Sequence, residues 1–406
     1  MSRLLIVGSI SIPEMISRDQ ERAVARRAIA PTDIYKWPGL SFSGASSLKT
    51  GKACIGPYTR SLKWSHFIFQ DSLSESKLCL CLAVSTDGRF LAAGFDPGTV
   101  IVWRLSDGLL VQRLHDHDHT DRIRSVAFSP NTLHLVSGSN DQTATVWDIR
   151  SGHALLRLEG HQGTVLTVAY SPNGSRIATG SVDQSVKIWD TSSGGCLRSL
   201  DLGEEVYEVI FLPNGARLAV ELRHTGAICD VETGRTVATL RHENGERMCL
   251  SLSSQGDRIV TGTGDGKAKI WSAVTGKELL ELSEHTSEIN SAVFSPDGAE
   301  VATGSDDCTV VTSDSWTGQR RHVYRMASAM WSMEYSPNSS YIVMGDSDGH
   351  VRVCDARSGA FVAEFEGHTK GVDELLFLPD GHRLLSRSEE DRTVRLWSIR
   401  DAMRLH

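Results

Sequence analysis

The sequence predicts an all-β protein in which eight small sheets form the blades of a β-propeller. Three observations point to this fold class: a unit of 41 to 44 residues recurs eight times after residue 77, every unit alternates apolar and polar residues in short runs, and turn residues separate the runs. A four-stranded sheet of this size has two faces to bury, so each unit must pack against a neighbour on either side. Radial stacking meets that requirement and leaves only short strand edges exposed.

Two sequence markers keep this period in all eight units. The first closes a strand, as in residues 126–130 (VAFSP) and 168–172 (VAYSP), and its serine or the equivalent residue stands at positions 85, 129, 171, 212, 253, 295, 336 and 378. The second lies 17 to 19 residues later and is most often tryptophan: Trp103, Trp147, Trp189, Cys229, Trp271, Ser313, Cys354 and Trp397. Agreement of two independent markers indicates a true structural repeat.

The third unit shows the order of elements that we predict for every unit. Alternating residues predict the strands, and stretches rich in Gly, Asn, Asp and Ser predict the turns. In order, the elements are strand 165–171, turn 172–174, strand 176–180, turn 182–184, strand 185–189, turn 192–195 and strand 196–200.

The eighth unit lacks most of its own fourth strand. In the third unit that strand begins seven residues after Trp189, whereas the seventh residue after Trp397 is Arg404, close to the last residue, His406. The alternating segment 62–70 precedes the first unit and has the pattern of a strand. We therefore expect it to complete the last sheet and to fasten the two parts of the chain together.

These motifs resemble those of the WD40-repeat (G-beta/transducin-like) β-propellers. Trp147-Asp148 and Trp189-Asp190 match the signature dipeptide, and Gly160-His161 and Gly367-His368 match the Gly-His pair. The repeat count predicts eight blades, with seven as the alternative because seven is commoner in the family. The predicted domains are a basic, poorly ordered N-terminal extension over 1–60 and the propeller over 61–406.

The resemblance also implies a buried, hydrogen-bonded tetrad of His, Ser or Thr, Asp and Trp in each regular blade. The matching residues are His119, Ser137, Asp141 and Trp147 in blade two, and His161, Thr179, Asp183 and Trp189 in blade three. Other blades depart from the pattern: Glu243 stands where blade five should have histidine, and Arg387 is out of register by one residue in blade eight. Blades four and seven lack most of the tetrad residues, and blade seven keeps only Asp348. We therefore expect these two blades to be the softest, that is, the least stable.

The sequence offers little for catalysis. It contains no H-E-x-x-H, no G-x-S-x-G and no pair of C-x-x-C motifs, so we expect a non-catalytic protein without a cofactor. The His and Asp of the tetrads have no nucleophile beside them, which favours a structural role. His115, His117 and Asp118 leave open the alternative of a propeller enzyme or a metal protein.

Charge argues against a nucleic-acid partner. The chain has a net charge of −8; residues 1–65 hold 10 Lys and Arg against 4 Asp and Glu, and the remainder carries −14. No apolar run is long enough to span a membrane. Eight cysteines without a C-x-x-C pair favour an intracellular location, cytoplasmic or nuclear.

The resemblance places the partner-binding face on the loops that enter the first strand of each blade and on those between its second and third strands. Carried onto this sequence, the exposed positions are Arg122, Arg124, Asn140, Thr164, Leu166, Val182, Glu205, Tyr207, Glu246, Met248, Glu288, Asn290, Asp306, Trp331, Asp373 and Glu390. Tyr207, Met248 and Trp331 are residue types that often dominate binding energy. The acidic members form an arc over blades four to eight, opposed by Arg122 and Arg124.

This pattern favours a protein-interaction scaffold that binds a partner protein or basic peptide and works as a subunit of a larger complex. The basic residues 1–60 provide a second expectation, an intramolecular contact with the propeller. An alternative is an adaptor or corepressor subunit of a nuclear or ubiquitin-ligase complex.

Overall fold

The computed structural model describes residues 61–62, 67–69, 78–114, 119–242 and 248–403, and these residues form a β-propeller of eight blades. Within a blade the strands run antiparallel and are named a to d from the centre outward; strand a contacts the first strands of neighbouring blades. The predicted fold class and the blade count of eight are confirmed. The predicted extension 1–60 and its contact with the propeller lie outside the described residues.

The first four blades contain strands β3 to β18. Blades one and two comprise β3 to β10: Cys79–Val84, Phe90–Phe95, Thr99–Arg104, Leu110–Leu114, Ile123–Phe128, His134–Ser139, Ala144–Asp148 and Ala154–Leu158. Blades three and four comprise β11 to β18: Val165–Tyr170, Arg176–Ser181, Ser185–Asp190, Cys196–Asp201, Val206–Phe211, Arg217–Leu222, Gly226–Asp230 and Thr236–Leu240.

The remaining blades contain β19 to β33 and a short helix. Blades five and six comprise β19 to β26: Met248–Leu252, Arg258–Thr263, Ala268–Ser272, Glu278–Leu282, Ile289–Phe294, Glu300–Ser305, Thr309–Asp314 and Arg320–Arg325. Blades seven and eight comprise β27 to β33: Met330–Tyr335, Tyr341–Asp346, His350–Asp355, Phe361–Glu366, Glu374–Phe377, Arg383–Ser388 and Thr393–Ser398. Helix α1 (Ile399–Met403) follows the last strand.

The predicted closure by the segment before blade one is confirmed. Strand β2 (Phe67–Phe69) pairs antiparallel with β33 and becomes strand d of blade eight. The preceding β1 (Ser61–Leu62) pairs parallel with β30 and adds a fifth strand to blade seven. Hydrogen bonds between segments from opposite ends of the sequence therefore hold the ring closed.

Apolar contacts between blades form the core. Eight clusters of buried side chains lie one at each junction of neighbouring blades, and the cluster of Cys79, Leu91, Leu385 and Leu396 joins blade eight to blade one. Each β-strand buries alternate residues on opposite faces, so each sheet contributes to two clusters. This packing explains why the sequence alternates throughout every unit.

A glycine in strand b makes this close packing possible in six blades. A Cβ atom at Gly94, Gly138, Gly180, Gly262, Gly304 or Gly345 would lie within 3.0 Å of a side chain of the next blade. Blades four and eight differ at the equivalent position, where they carry Glu221 and Arg387. In the other six blades, strand b has no space for a side chain at this position.

Candidate partner-binding face

The two predicted tetrads form as expected. In blade three, His161 Nδ1 lies 2.8 Å from Asp183 Oδ2, His161 Nε2 lies 2.7 Å from Thr179 Oγ1, and Trp189 Nε1 donates to the same hydroxyl at 2.9 Å. In blade two, the corresponding distances are each 2.8 Å, with Ser137 supplying the hydroxyl. The four side chains thereby join the loop before strand a to strands b and c.

Each tetrad is a chain of donors and acceptors. The carboxylate accepts the Nδ1 proton, so Nε2 is left as an acceptor for the hydroxyl, which itself accepts from the indole. Burial lowers the pKa of His161, and Asp183 only partly opposes that shift, which keeps the ring neutral. Burial alone would raise the pKa of Asp141, but bonds from His119, Thr143 and a backbone amide hold it at about 2.

Blades six and eight contain similar groups. His285 bridges Asp307 and Thr303 at 3.0 and 2.8 Å, with Ser313 in the place of tryptophan. In blade eight, Ser386 bonds His368 at 2.6 Å and Trp397 at 2.7 Å. The prediction that Arg387 breaks the register is wrong. Ser386 is in register, and the extra residue lies in the following turn, residues 389–392, which contains Asp391.

The prediction that Glu243 takes the place of histidine in blade five is also wrong. His242 occupies the position: its Nε2 lies 2.7 Å from Thr261 Oγ1, which also accepts from Trp271 at 2.8 Å. His242 lies eight residues before Leu250, the strand-a partner of Thr261, whereas His161 lies seven residues before Val168, the partner of Thr179, and this extra residue displaced the alignment. Burial, reinforced by the charge of Lys269, lowers the pKa of His242 to about 4.

Blade seven replaces the tetrad with a different pair. Its buried carboxylate is Asp346, while the predicted Asp348 is exposed. Asp346 Oδ2 lies 3.3 Å from His350 Nδ1, and Asp346 Oδ1 accepts the amide protons of Asp348 and His350. The histidine of this pair belongs to strand c instead of the loop before strand a, so aligning the repeats does not reveal it.

Arg387 has a structural role that the sequence did not reveal. Its Nε donates to Glu374 Oε2 at 2.9 Å, and its Nη1 donates to the carbonyl of Cys79 in blade one at 3.1 Å. The side chain is 10% exposed. It occupies the glycine position of strand b and links the last blade to the first. The sequence signal was arginine in place of the repeated glycine.

The predicted binding residues come together because two connections of every blade meet at the same end of the ring, which we call the loop face. In six blades, the amide of the residue between strands b and c donates to a carbonyl of the loop before strand a, and in four of them the pair includes predicted binding positions. These pairs are Asn140 to Arg122, Val182 to Thr164, Arg223 to Glu205 and Asp306 to Glu288, at 2.9 to 3.1 Å. The opposite end, formed by the a–b and c–d turns, is called the turn face.

Two of the predicted anchor residues are exposed on the loop face. Tyr207 of blade four is 45% exposed and Trp331 of blade seven is 37% exposed. Val182 of blade three is 36% exposed. Met248 is the first residue of β19, but its side chain, like the whole of Glu246, lies outside the described residues. Among the described Trp, Tyr and Phe residues, Trp316 on the turn face has the largest exposed fraction, 65%.

Several members of the predicted acidic arc already have partners within the chain. Glu205 accepts from the hydroxyl of Tyr207 at 3.0 Å and lies 3.3 Å from Arg223. Asp306 accepts from Asn290 at 2.6 Å, and Asp373 accepts the amide of Glu389 at 2.6 Å. Glu390 lies 3.4 Å from Lys370. Of the opposing arginines, Arg122 pairs with Asp96 and Arg124 with Asn140.

Gly371, which the sequence did not single out, lies against the ring of Trp331. A Cβ atom on Gly371 would lie 2.6 Å from Cε3 and 2.9 Å from Cη2 of the Trp331 ring. The six-membered ring of the indole therefore covers the loop between His368 and β31 in the next blade. The role of this glycine becomes apparent only from its contact with Trp331 in the folded chain.

The described residues give no metal centre: no three His, Cys, Asp or Glu side chains among them are placed to hold an ion. His119 belongs to a tetrad, whereas His115, His117 and Asp118 lie outside the described residues. The enzyme or metal alternative that rests on them stays an untested prediction. Within the described part of the chain, no helix has the length and apolar character that crossing a bilayer requires.

Eight stacked blades, seven of four strands and one of five, with His–Asp–hydroxyl–Trp groups in several of them, define a repeat β-propeller. The chain matches the family model "WD domain, G-beta repeat" over residues 69–104, 108–148, 152–190, 234–272, 276–311, 318–355 and 359–398, and it belongs to that family. The matched ranges pass over 191–233, which contain three strands of blade four. That blade has lost the motif but kept the fold.

Similar proteins have varied names. The chain is 27% identical to nuclear distribution protein nudF of Aspergillus niger over 71% of its length, and 26% identical to the Xenopus laevis U3 small nucleolar RNA-associated protein 15 homolog over 68%. It spans 61% and 52% of those proteins. It is 32% identical to E3 ubiquitin-protein ligase COP1 of Pisum sativum, over 37% of this chain and 23% of that protein. The crystal structure of the computationally designed Ika8 protein superposes with a TM-score of 0.69 at 27% identity, over 80% of this chain and 98% of that one.

Proposed function

We propose that this protein is a non-catalytic interaction scaffold that holds a partner protein or basic peptide on its loop face. The observation that carries the proposal is the exposure of Tyr207 and Trp331 on innermost strands at that face, beside acidic side chains. Aromatic residues near the centre of a surface supply much of the energy in protein interfaces. Acidic neighbours steer a basic partner toward them.

Family membership supports this proposal, since propellers of this family generally act as binding scaffolds rather than as catalysts. The histidines and aspartates of the tetrads are engaged in hydrogen bonds within their blades. The names of the relatives favour a role as subunit or adaptor of a larger complex, cytoplasmic or nuclear. Corepressor or ubiquitin-ligase assemblies are the second candidate, and identifying the captured partner distinguishes them.

Affinity capture from native extract tests the proposed face. The loop-face variant is Tyr207→Ala with Asp306→Lys, and the matched control on the turn face is Trp316→Ala with Glu232→Lys. Both variants remove one exposed aromatic ring and reverse one charge. We expect the first to lose partners that the wild type and the control retain. Partners lost only from the control would place the binding surface on the turn face instead.

A further inference from the structure

Blade seven carries an acid at a position where regular blades carry a hydroxyl group. Asp346 is the last residue of its strand b, and the equivalent residues of blades two, three and six are Ser139, Ser181 and Ser305. Each of these serines donates its hydroxyl proton to a carbonyl of the loop before strand a, at 3.0 to 3.1 Å. A carboxylate has no proton to donate, so Asp346 cannot make this bond.

The negative charge of Asp346 is buried and needs a cation beside it. Its side chain is 0% exposed. Oδ1 accepts two backbone amides, whereas Oδ2 makes no well-formed hydrogen bond with any group in the described part of the chain. His350 Nδ1 lies 3.3 Å from Oδ2, on a side chain that is 33% exposed and so within reach of solvent protons. A buried carboxylate without a counter-charge is strongly destabilising, so the protonated ring of His350 is the form that stabilises this turn.

Charged residues lie on several elements around His350. They are Asp346 on strand b, Arg352 on strand c, Glu364 and Glu366 on strand d, and His368 and Lys370 on the adjoining loop of blade eight. Arg352 donates to Glu364 at 2.7 Å, while His368 and Lys370 have acidic partners within blade eight. Asp346 raises the pKa of His350 above its ordinary value, because its attraction outweighs burial and the charge of Arg352. The surroundings therefore favour the protonated ring.

The turn between strands b and c connects this pair to Trp331. The carbonyl oxygen of Asp346 accepts the amide of Val372 in blade eight at 3.0 Å. Gly349 packs so closely on the same segment of blade eight that a Cβ atom on it would lie 2.7 Å from a carbonyl oxygen. That segment contains Gly371, against which the Trp331 ring lies. Trp331 is also the extra residue of a β-bulge that faces Asp346 in the register of strands a and b. A change in the turn therefore reaches Trp331 by two routes.

We propose that His350 and Asp346 form a proton switch that regulates partner binding at Trp331. With a proton on His350, the buried carboxylate has its counter-charge and the turn packs against blade eight. Loss of that proton, as the pH rises beyond about 6.5, leaves the carboxylate unpaired and loosens the turn beneath the binding face. This inference rests on the proposed function and adds a regulation to the same face.

A histidine NMR titration of the full-length chain tests the pair itself. The ring signal of His350, assigned by its loss in His350→Gln, should titrate with a midpoint above about 6.5. Asp346→Ser restores the residue of the regular blades and should lower that midpoint. A wild-type midpoint at or below about 6.5, or one that Asp346→Ser leaves unchanged, would overturn the switch.

A fluorine label shows whether the switch reaches Trp331. In a chain labelled with 5-fluorotryptophan, the ¹⁹F signal that is missing from Trp331→Phe should shift with the same midpoint as His350. Asp346→Ser with His350→Thr, which installs the serine and threonine of blade six, should make that signal independent of pH. His224→Gln is the control, because His224 is an exposed histidine in the b–c turn of blade four. A Trp331 signal that does not follow His350 would contradict the coupling.

Peptides from a random dodecapeptide display library supply a ligand for the binding test. They are selected on the full-length wild type at acidic pH, counter-selected on Trp331→Ala, and chosen without histidine. One pH unit above the midpoint of His350, they should bind about tenfold more weakly, because only the protonated fraction is competent. The double variant should bind them equally at both pH values. Trp331-dependent peptides that bind the wild type equally at both pH values would overturn this inference while the loop-face function stands, as would peptides that depend on Tyr207 or Asp306 alone. Selection of no loop-face-dependent peptide would overturn both.

Discussion

Replacing Thr179 by valine tests the tetrad most directly. The two side chains have nearly the same shape, so the change removes the hydroxyl without opening a cavity. Two hydrogen bonds are lost: the one with His161 Nε2 at 2.7 Å and the one from Trp189 Nε1 at 2.9 Å. His161 is 4% and Trp189 2% exposed, so water cannot replace the missing partner.

The expected loss of stability follows from these contacts. Each buried polar group left without a partner costs about 1–3 kcal/mol. The extra methyl group of valine returns about 0.8 kcal/mol through burial. We therefore expect Thr179→Val to reduce the free energy of unfolding by about 3 kcal/mol.

Urea denaturation followed by tryptophan fluorescence measures the change, and native-state hydrogen exchange shows where it acts. Because repeat proteins can unfold blade by blade, exchange should rise first in blade three and in its neighbours. Thr239→Val is the matched control, since Thr239 is exposed on the outer strand of blade four. A loss for Thr179→Val no larger than that of the control would refute the argument that the tetrad stabilises the blade.

Two further outcomes follow from packing and titration. Gly138→Ala should lower the free energy of unfolding by about 1–3 kcal/mol, because its Cβ would lie 2.8 Å from side-chain atoms of both Val165 and Val168 in the next blade. The control Gly195→Ala, whose Cβ would meet only a serine oxygen at 3.3 Å, should leave stability unchanged. Equal losses of stability for the two variants in denaturant titrations would contradict the packing argument. The contribution of His242 to stability should fall as pH drops from about 6.5 toward 4, since its pKa is lowered to about 4 and the unfolded chain binds more protons at this residue than the folded one. Glu208 and Glu334, whose pKa values are raised to about 7 and about 8, act in the opposite direction, so comparison with a His242 variant isolates the effect. His242→Gln should reduce that slope by up to about 1.4 kcal/mol per pH unit, and unchanged slopes in urea titrations at pH 5, 6 and 7 would show that His242 is not buried as a neutral ring. A second fall between about pH 4 and 2 should follow as Asp141, with its pKa lowered to about 2, takes up a proton.

Local sequence pattern was sufficient for most of the fold. Alternation with a period of two specifies which residues of a strand face the neighbouring blades, and turn residues specify where each strand ends. The segment 62–70 was recognisable as a strand by the same rule, and the eighth unit lacked one. Blade count and ring closure could therefore be predicted without any tertiary information, whereas the tetrads of blades two and three were implied by the resemblance to the WD40 family.

The departures from the regular repeat were harder to predict, because the place of an inserted residue within a loop is not defined until the pairing of the flanking strands is known. Strand register showed that blade five gains its residue after His242 and that blade eight gains its own after Ser386. In blade seven, a pair formed by buried Asp346 and half-buried His350 stands where other blades have the tetrad. In blades five and eight, hydrogen bonds in the folded chain, rather than spacing in the sequence, identify the tetrad residues.

The sequence by itself determined the propeller, its eight blades and their closure, because each of these follows from periodic, local patterns; the end of the ring proposed to bind a partner was implied by the family resemblance. Tertiary structure alone decided which of the predicted binding residues are engaged within the chain, that Arg387 ties blade eight to blade one, and that Trp331 rests on Gly371. The last two features depend on contacts between blades, with partners 308 residues apart for Arg387 and 40 apart for Trp331, and a side chain's partner across such a junction is set by packing geometry that no single repeat encodes.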